Sequence, residues 1–233
     1  MNLNDRSVLI TGGSSGIGRA TAAALQDKGA RVTINGRDSD RLREAAEALG
    51  CHAVAGDVGD EAQAERVVRE TIAHHGSLDV LVNNAGFGLF APLVEFELAD
   101  FEAVMRTNVT GCFLVGRAAA RHMVERKSGA IVNVASTAAL RGFQRGTAYA
   151  TSKFALRGMT ECWREELRRH DIRVMLVNPS EVLTDFARRS GRTQEHHDRK
   201  LQAEDIAEAI TAILEMNDRG FVPELAVFAT NPF

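Results

Sequence analysis

Short apolar segments alternate with longer amphipathic segments along most of the chain. Seven of the apolar segments, such as SVLIT and IRVMLVNP, are rich in Val, Ile and Leu with little polar alternation. Strands buried on both faces of a parallel sheet have this composition, because neither face meets water. The predicted strands cover residues 7–11, 31–35, 52–56, 79–83, 130–136, 172–179 and 221–228.

The segments between these strands predict helices. DSDRLREAAEALG begins with capping residues and ends at Gly50, and DEAQAERVVRETIAHHG has acids in its first turn and histidines in its last. Strand–helix alternation implies right-handed crossovers, and therefore an α/β fold: a Rossmann-type, doubly wound, mostly parallel seven-stranded sheet with helices on both faces. The predicted helices cover residues 18–29, 38–50, 60–76, 98–126, 147–170 and 203–215.

Composition narrows the class of protein. With 233 residues, 45% of them hydrophobic, the chain is long enough for one domain over residues 1–233. A net charge of −3 gives no general attraction to nucleic acid or to an anionic membrane, and three scattered cysteines fit reduced thiols. The chain has no signal-peptide pattern and no apolar run of membrane-spanning length. We expect a cytoplasmic protein without nucleic-acid or membrane partners.

A glycine-rich loop, TGGSSGIGRA, follows the first predicted strand and opens the first predicted helix. Glycines such as Gly12 and Gly16 let backbone amides approach a phosphate, and a helix N-terminus adds positive potential there. Gly18 would let the helix pack closely on the strand. An ordinary tight turn also uses glycines, but this position in the first strand–helix unit favours dinucleotide binding.

Tyr149, the only tyrosine, precedes Lys153 by four residues within GTAYATSKFAL. On a helix the two side chains share a face, so the pair could be a catalytic acid with its tuning charge. A solvated lysine beside a half-buried ring has the same spacing. The pair by itself leaves both interpretations open.

Six motifs in chain order make the sequence resemble the short, single-domain branch of the short-chain dehydrogenase/reductase family. Besides the glycine loop, the matches include Ser136, thirteen residues before Tyr149, and NPSEVLT, in which Ser180 stands where the family usually has glycine. The other matching motifs are GDV at 56–58, NNAG at 83–86 and TNVTG at 107–111. The matches run along nearly the whole chain. A side chain at position 180 would crowd the backbone near the nicotinamide or reach the substrate, so the pocket wall there is expected to differ in shape from that of the family.

The resemblance implies a catalytic set of Asn108, Ser136, Tyr149 and Lys153. Reduction of a carbonyl needs a proton donor and a second hydrogen bond at its oxygen, and a nearby ammonium lowers a phenol pKa that is ordinarily about 10. By resemblance, Ser136 orients the substrate oxygen and the Asn108 backbone carbonyl binds a water. Taken singly, Asn108 could be a helix cap, and Ser136 could simply end a strand.

The resemblance also implies a set of residues that bind the cofactor. Within it, Thr184 anchors the nicotinamide carboxamide and Asp57 contacts the adenine, although Asp57 alone could be a turn residue. The set is Gly12, Ser14, Ser15, Gly16, Ile17, Gly18, Arg37, Asp57, Val58, Asn84, Ala85, Gly86, Tyr149, Lys153, Pro179, Val182 and Thr184.

The end of the second strand predicts NADP(H) rather than NAD(H). Enzymes that use the unphosphorylated dinucleotide usually place an acid about 20 residues past the glycine loop, to bind a ribose hydroxyl. Here Gly36 occupies that position and Arg37 follows, and a guanidinium can bind a 2′-phosphate in a bidentate manner. The opposing interpretation is that Asp38 turns inward while Arg37 is solvated.

The substrate is expected to be a small carbonyl compound or secondary alcohol, bound by residues 137–147 and 185–202. The first segment offers Leu140, Phe143 and Gln144. In the second, Arg188, Arg189 and Arg192 could attract an acidic substrate, although a solvated face is the commoner meaning of such a run. His196, His197 and Asp198 are adjacent rather than convergent, so no metal is expected.

By resemblance, the helices over 98–126 and 147–170 form subunit contacts in a homodimer or homotetramer. Side chains that could supply apolar surface there, unless they belong to the core, are Phe113, Val115, Phe154, Met159 and Trp163. Two alternative functions are a redox-sensing module that binds the dinucleotide without turnover, and dehydration or epimerisation of a sugar nucleotide. The complete catalytic set argues against the first. The chain length argues against the second.

Overall fold

The computed structural model describes residues 1–184, 186 and 199–231. Its strands form one sheet in the order β3-β2-β1-β4-β5-β6-β7, and every neighbouring pair is parallel. The predicted doubly wound α/β sheet is therefore confirmed. The strands are β1 (Ser7–Thr11), β2 (Arg31–Gly36), β3 (His52–Ala55), β4 (Val80–Asn83), β5 (Gly129–Val134), β6 (Ile172–Pro179) and β7 (Glu224–Val227).

Two of the helices begin and end at the capping residues expected from the sequence. The carboxylates of Asp38 and Asp60 accept hydrogen bonds from backbone N–H groups in the first turns of α2 and α3. Gly50 and Gly76 end the same two helices in the left-handed conformation, at φ 66° and 80°. The helices are α1 (Gly16–Asp27), α2 (Ser39–Leu49), α3 (Glu61–His75), α4 (Leu98–Met105), α5 (Cys112–Arg126), α6 (Thr147–Leu167) and α7 (Ala203–Glu215).

Both faces of the sheet are buried. Val8 and Ile10 of β1 belong to a core cluster with α1, α2 and α7, whereas Leu9 between them belongs to a second cluster with α3 and α5. Successive side chains of a strand point to opposite faces, so each face needs its own apolar residues. This explains why the strands are continuous apolar segments.

The segment 98–126 is helical along its whole length, as predicted, but it is not an α-helix throughout. Six residues, Arg106–Gly111, form a π-helical turn between α4 and α5. Gly111 lies so close to Val58 that a Cβ on Gly111 would come within 2.6 Å of Val58 Cγ2. π-helical turns are frequent at functional sites, because they widen a helix locally and redirect its side chains.

The strand order reverses direction between β1 and β4. In open parallel sheets this reversal leaves a crevice at the carboxyl ends of the strands, where ligands bind. The glycine loop after β1, the NNAG motif after β4 and Ser136 after β5 all lie at this edge. None of the helices in the described part of the chain is long and apolar enough to cross a membrane.

Candidate active site

A cavity of about 290 Å³ lies along the carboxyl ends of the central strands. Its walls are the glycine loop, the end of β2, the loop after β4 and the first turns of α6. The fold thereby brings together residues that are up to 174 positions apart in the chain, from Gly12 to Phe186. The predicted site residues that line the cavity are Gly12, Ser14, Ser15, Gly16, Ile17, Arg37, Val58, Asn84, Ala85, Gly86, Tyr149, Lys153 and Thr184.

The glycine loop has the conformation that its sequence suggests. Gly12 and Gly16 have φ values of 65° and 51°, in the left-handed region that side chains disfavour. A Cβ on Gly18 would lie 2.4 Å from the Gly12 carbonyl oxygen and 2.5 Å from Asn84 Nδ2. Gly18 does not line the cavity; it allows α1 to pack closely against the glycine loop, whereas the prediction from the sequence is close packing on the strand.

Hydrogen bonds tie the glycine loop to the loop after β4. The Thr11 hydroxyl accepts hydrogen bonds from the backbone N–H groups of Asn84 and Ala85, at 3.1 and 3.0 Å. Asn84 Nδ2 in turn donates to the carbonyl oxygens of Thr11 and Gly12. Asn84 therefore positions the glycine loop as well as lining the cavity. Thr11 is a positioning residue that the sequence reasoning missed.

Tyr149 and Lys153 lie one turn apart on α6, with the Lys153 Nζ 5.6 Å from the centre of the Tyr149 ring. Lys153 is only 5% exposed, and its Nζ donates a 3.1 Å hydrogen bond to the Val134 carbonyl at the end of β5. Burial lowers the pKa of Lys153 from 10.5 to about 8, and nearby Cys112 opposes part of that effect. The pair is thus a buried cation beside a phenol, not a solvated lysine.

Asn108 lies in the π-helical turn, with 1% of its surface exposed. Its amide group accepts from the Phe87 N–H at 3.0 Å and donates to the Phe87 carbonyl at 2.9 Å. It also donates to the Ser152 hydroxyl, which donates to the Tyr149 carbonyl. The Asn108 side chain therefore fixes the loop after β4 relative to the helix that carries Tyr149.

Ser136 lies directly after Val134 and Ala135, both of which line the cavity. Ser136 itself does not line it; its hydroxyl accepts a 3.1 Å hydrogen bond from the Ala138 N–H and caps a short 3₁₀ turn. A hydroxyl that accepts one hydrogen bond still has a proton to donate.

Asp57 also lies outside the cavity wall. Its carboxylate accepts from the Gly59 N–H at 2.9 Å and forms an ion pair with Arg106 at 3.1 Å. These are the contacts of a turn residue, the alternative that the sequence left open. The neighbouring Val58 does line the cavity.

The region after β6 contributes less to the cavity than the resemblance implies. Of Pro179, Val182 and Thr184, only Thr184 lines the cavity, where its methyl group would be 3.3 Å from a Cβ on Gly16. Val182 forms a bridge with Leu201, and Pro179 pairs with β7. The Ser180 N–H donates to the carbonyl of Val227 at 2.9 Å. The unusual serine thus continues the sheet hydrogen bonding.

Several lining residues were missed from the sequence. Phe87 and Gly88 follow the NNAG motif directly, and their place at the carboxyl end of β4 is the signal that could have identified them. Arg41 lies in the first turn of α2, and its Nε is buried without a hydrogen-bond partner among the described residues. The lining residues outside the predicted set are Asn35, Gly36, Asp38, Arg41, Gly56, Phe87, Gly88, Thr107, Val134, Ala135 and Phe186.

The second predicted substrate-binding segment, 185–202, falls largely outside the described residues. This applies to Arg188, Arg189 and Arg192, and to the segment 196–198 with its two histidines and aspartate. Within the described ranges, no group of three or more His, Cys, Asp or Glu side chains could hold a metal ion.

The chain belongs to the short-chain dehydrogenase family: the family model described as short chain dehydrogenase matches residues 6–195. Oxidoreductase chemistry on alcohols and carbonyls with a nicotinamide dinucleotide is the property of this family. One relative is the (2S)-[(R)-hydroxy(phenyl)methyl]succinyl-CoA dehydrogenase subunit BbsD of Thauera aromatica. It is 38% identical over 189 residues, which cover 79% of this chain and 76% of the relative.

Solved structures agree with this assignment. An alcohol dehydrogenase from the archaeon Thermococcus sibiricus, complexed with 5-hydroxy-NADP, has a TM-score of 0.88 at 26% identity. The alignment covers 98% of this chain and 99% of that chain. A 3-ketoacyl-(acyl-carrier-protein) reductase from Brucella melitensis, complexed with NADH, has a TM-score of 0.91 at 28% identity, covering 99% and 100% of the two chains.

Proposed function

We propose that the protein is an NADP(H)-dependent oxidoreductase that interconverts a carbonyl compound and a secondary alcohol, with Tyr149 as general acid and base. The observation that carries this proposal is the pairing of Tyr149 with the buried Lys153, in a cavity that begins at the glycine loop. The reaction class follows from the family, and the role of each residue follows from its position and contacts in this chain.

The cavity suits a dinucleotide. The glycine loop brings its backbone to the cavity wall at positions where a Cβ on Gly12 would lie 2.9 Å from Ala85 Cα. The first turn of α1 contains no acidic residue, so the positive end of the helix dipole faces the loop without opposition. These are the features that bind a pyrophosphate. When bound, the nicotinamide would supply or accept the hydride.

Tyr149 would give a proton to the substrate oxygen during reduction and take it back during oxidation. An ammonium in a buried site acts on a neighbouring phenol more strongly than one in water, because the effective dielectric constant is lower. Lys153 would therefore favour the phenolate and bring the pKa of Tyr149 toward the working pH. The Val134 carbonyl holds Lys153 in place for this task.

Ser136 would hydrogen-bond the substrate oxygen beside Tyr149, since it lies at the carboxyl end of β5 next to two lining residues. Asn108 would act as a positioning residue. Its side chain holds the Phe87 backbone on one side and, through Ser152, the Tyr149 backbone on the other. Loss of Asn108 should misplace both walls of the site.

The Tyr149→Phe variant tests the general-acid role. The ring keeps its packing and loses only the hydroxyl, so carbonyl reduction should fall about 10²–10⁴-fold, the usual contribution of general acid catalysis. Cofactor affinity should stay within a few-fold. The assay follows absorbance of the reduced nicotinamide over a broad set of carbonyl compounds and alcohols. Near-normal turnover of Tyr149→Phe would refute the assignment, and silence of the wild type on the whole set would favour a binding module.

The preference for NADP(H) rests on the end of β2. Arg37 and Arg41 line the cavity there together with Asp38, and Gly36 itself contributes no carboxylate. The carboxylate of Asp38 accepts the Arg41 N–H at 3.1 Å as the cap of α2, which supports the reading that Asp38 serves the helix. The Arg37 guanidinium lies 5.9 Å from the Phe87 ring centre, so it can reach over the cavity.

The cofactor preference can be measured with Arg37→Ala and Arg41→Ala. Hydrogen bonds to charged groups are worth about 1.5–3 kcal/mol, so each loss should weaken NADPH binding by ~10-fold or more and leave NADH binding nearly unchanged. Arg43→Ala is the matched control, because Arg43 lies on the same helix, pairs with Asp40 and does not line the cavity. Equal losses for both dinucleotides, or a wild type that prefers NADH, would contradict the proposal.

A homodimer or homotetramer is proposed as the assembly. Phe113 on α5 and Phe154 on α6 are 39% and 45% exposed, and a surface groove of about 440 Å³ runs between the two helices beside Trp163. Val115, by contrast, is fully buried in the core. Light scattering at micromolar concentration would decide the question, and a monomer would refute the proposal.

A further inference from the structure

Two phenylalanine rings contact the ring of the candidate proton donor, and a third packs against one of them. The Phe90 and Phe186 ring centres lie 5.6 and 5.4 Å from that of Tyr149, and Phe143 lies 6.0 Å from Phe90. We call Phe90, Phe143 and Phe186 the phenylalanine cluster. Each ring comes from a different loop at the carboxyl edge of the sheet: after β4, after β5 and after β6. Two of these loops place a ring directly against Tyr149, and the third packs its ring on Phe90.

Two glycines allow the rings to pack closely. A Cβ on Gly88 would lie 2.8 Å from Phe90 Cζ and 3.0 Å from both the Phe186 and Tyr149 rings. At the start of α6, a Cβ on Gly146 would lie 2.6 Å from Phe143 Cζ. Phe143 is nevertheless 43% exposed, so apolar surface remains available beside Tyr149.

Charge is distributed unevenly along the cavity. Among the lining residues that the structure describes, Arg37, Asp38 and Arg41 are grouped at the end of β2, and Lys153 is the charged residue beside Tyr149. In the sheet order, β2 and β5 are three strands apart, which corresponds to about 14 Å. The end of the cavity near Tyr149 is bounded by Val134, Ala135 and Phe186, and the rest of the phenylalanine cluster lies behind Phe186 and Tyr149.

We propose that the substrate is an uncharged ketone or secondary alcohol whose larger substituent is an aromatic or alicyclic ring that packs on the phenylalanine cluster. The proposal rests on the oxidoreductase function proposed above. An aromatic substituent gains offset or edge-to-face contacts with the rings as well as burial of its surface. A polyhydroxylated substituent would lose its hydration against phenyl rings, which offer no strong hydrogen-bonding partners, so it binds weakly.

The test compares acetophenone and cyclohexanone with dihydroxyacetone and erythrulose, using the full chain with NADPH and, in parallel, NADH. The ring ketones should have a kcat/KM about 10- to 200-fold higher, the range over which apolar pockets discriminate. Phe90→Ala should lower kcat/KM for acetophenone by a similar factor, mainly through KM, and change dihydroxyacetone reduction no more than a few-fold. Phe90→Leu keeps apolar volume at the position and covers the case in which the alanine variant fails to fold. Phe228→Ala, at a 60% exposed phenylalanine outside the cluster, is the matched control.

Calorimetry on the Tyr149→Phe variant provides a readout in which turnover is suppressed: 1-phenylethanol should bind to this variant saturated with NADP⁺, and glycerol should not. Reduction of hydroxylated ketones as fast as ring ketones, or a Phe90 variant that treats both classes like the wild type, would overturn the substrate proposal and leave the oxidoreductase proposal standing. A wild type that binds NADPH but reduces neither class would instead count against the proposed function.

Discussion

Replacement of Lys153 by methionine is expected to raise the stability of the fold while lowering the activity of the site. Burial lowers the pKa of Lys153 from 10.5 to about 8, so the folded protein resists protonation of this amine more than the unfolded chain does. Since one pKa unit is worth about 1.4 kcal/mol, the charged lysine costs the fold about 3 kcal/mol at neutral pH. Methionine has a similar shape and no charge.

The sign of the pH dependence follows from the direction of the pKa change. Between about pH 8 and pH 10.5 the unfolded chain binds more protons than the folded protein, so the stability of the wild type rises with pH over this window. Below pH 8 the full cost applies. The methionine variant lacks this contribution, but it leaves the Val134 carbonyl without its 3.1 Å donor, which costs about 1 kcal/mol at every pH.

We therefore expect Lys153→Met to be more stable than the wild type by about 2 kcal/mol at pH 7. This advantage should shrink by about 2 kcal/mol between pH 7 and pH 9.5. Urea denaturation of the cofactor-free protein, followed by circular dichroism, measures both values. Turnover should fall sharply, because Tyr149 loses the adjacent charge.

Lys28→Met is the control for the general effect of removing a lysine, since Lys28 is 46% exposed and pairs with Glu215 on the surface. A stability difference for Lys153→Met that is the same at pH 7 and pH 9.5 would refute the reasoning. So would a variant that is markedly less stable than the wild type at pH 7.

Three further predictions concern other parts of the fold. Gly18→Ala should abolish tight dinucleotide binding while the protein stays folded, because the new Cβ would lie 2.4 Å from the Gly12 carbonyl and displace the glycine loop; unchanged affinity by calorimetry would contradict this. Asp79→Ala should lower the free energy of unfolding by about 1–3 kcal/mol, because the buried Ser7 N–H loses its 3.0 Å acceptor. A smaller loss in urea denaturation would contradict this prediction. Burial lowers the pKa of His75 from 6.5 to about 4, so the neutral ring contributes stability that is fully present above pH 6.5 and is lost as the pH falls toward 4. His75→Gln should flatten this part of the stability profile, and an unchanged acid slope in thermal melts would argue against the assignment.

Much of the fold could be predicted because the local preferences of the sequence match the secondary structure that the folded chain adopts. The strands of a parallel sheet covered on both faces are apolar at every position, so they stand out without any knowledge of pairing. Asp38, Gly50, Asp60 and Gly76 mark helix ends through contacts within one turn of the chain. The path of the glycine loop is also local, since it follows from left-handed φ values that glycine tolerates.

Contacts between distant segments could not be predicted in the same way. The predicted helix over 98–126 contains a π-helical turn at Arg106–Gly111, and this turn packs on Val58, which lies in a different part of the chain. The partners of Asn108 are Phe87 and Ser152, which are 21 and 44 positions away. Asp57 is assigned to the adenine by the resemblance, but its carboxylate accepts a hydrogen bond from the neighbouring Gly59 N–H and pairs with Arg106, which is 49 positions away.

The sequence by itself determined the order of the elements, the edge of the sheet where the site lies, and the residue types available for chemistry there. These follow from short-range patterns, because burial, capping and backbone conformation act over a few residues. The tertiary structure alone decided that Lys153 is buried beside Tyr149, that Phe90 and Phe186 pack on the Tyr149 ring, and that Phe143 packs on Phe90. The environment of a side chain depends on which loops fold over it, and those loops are separated in the chain by whole strands and helices.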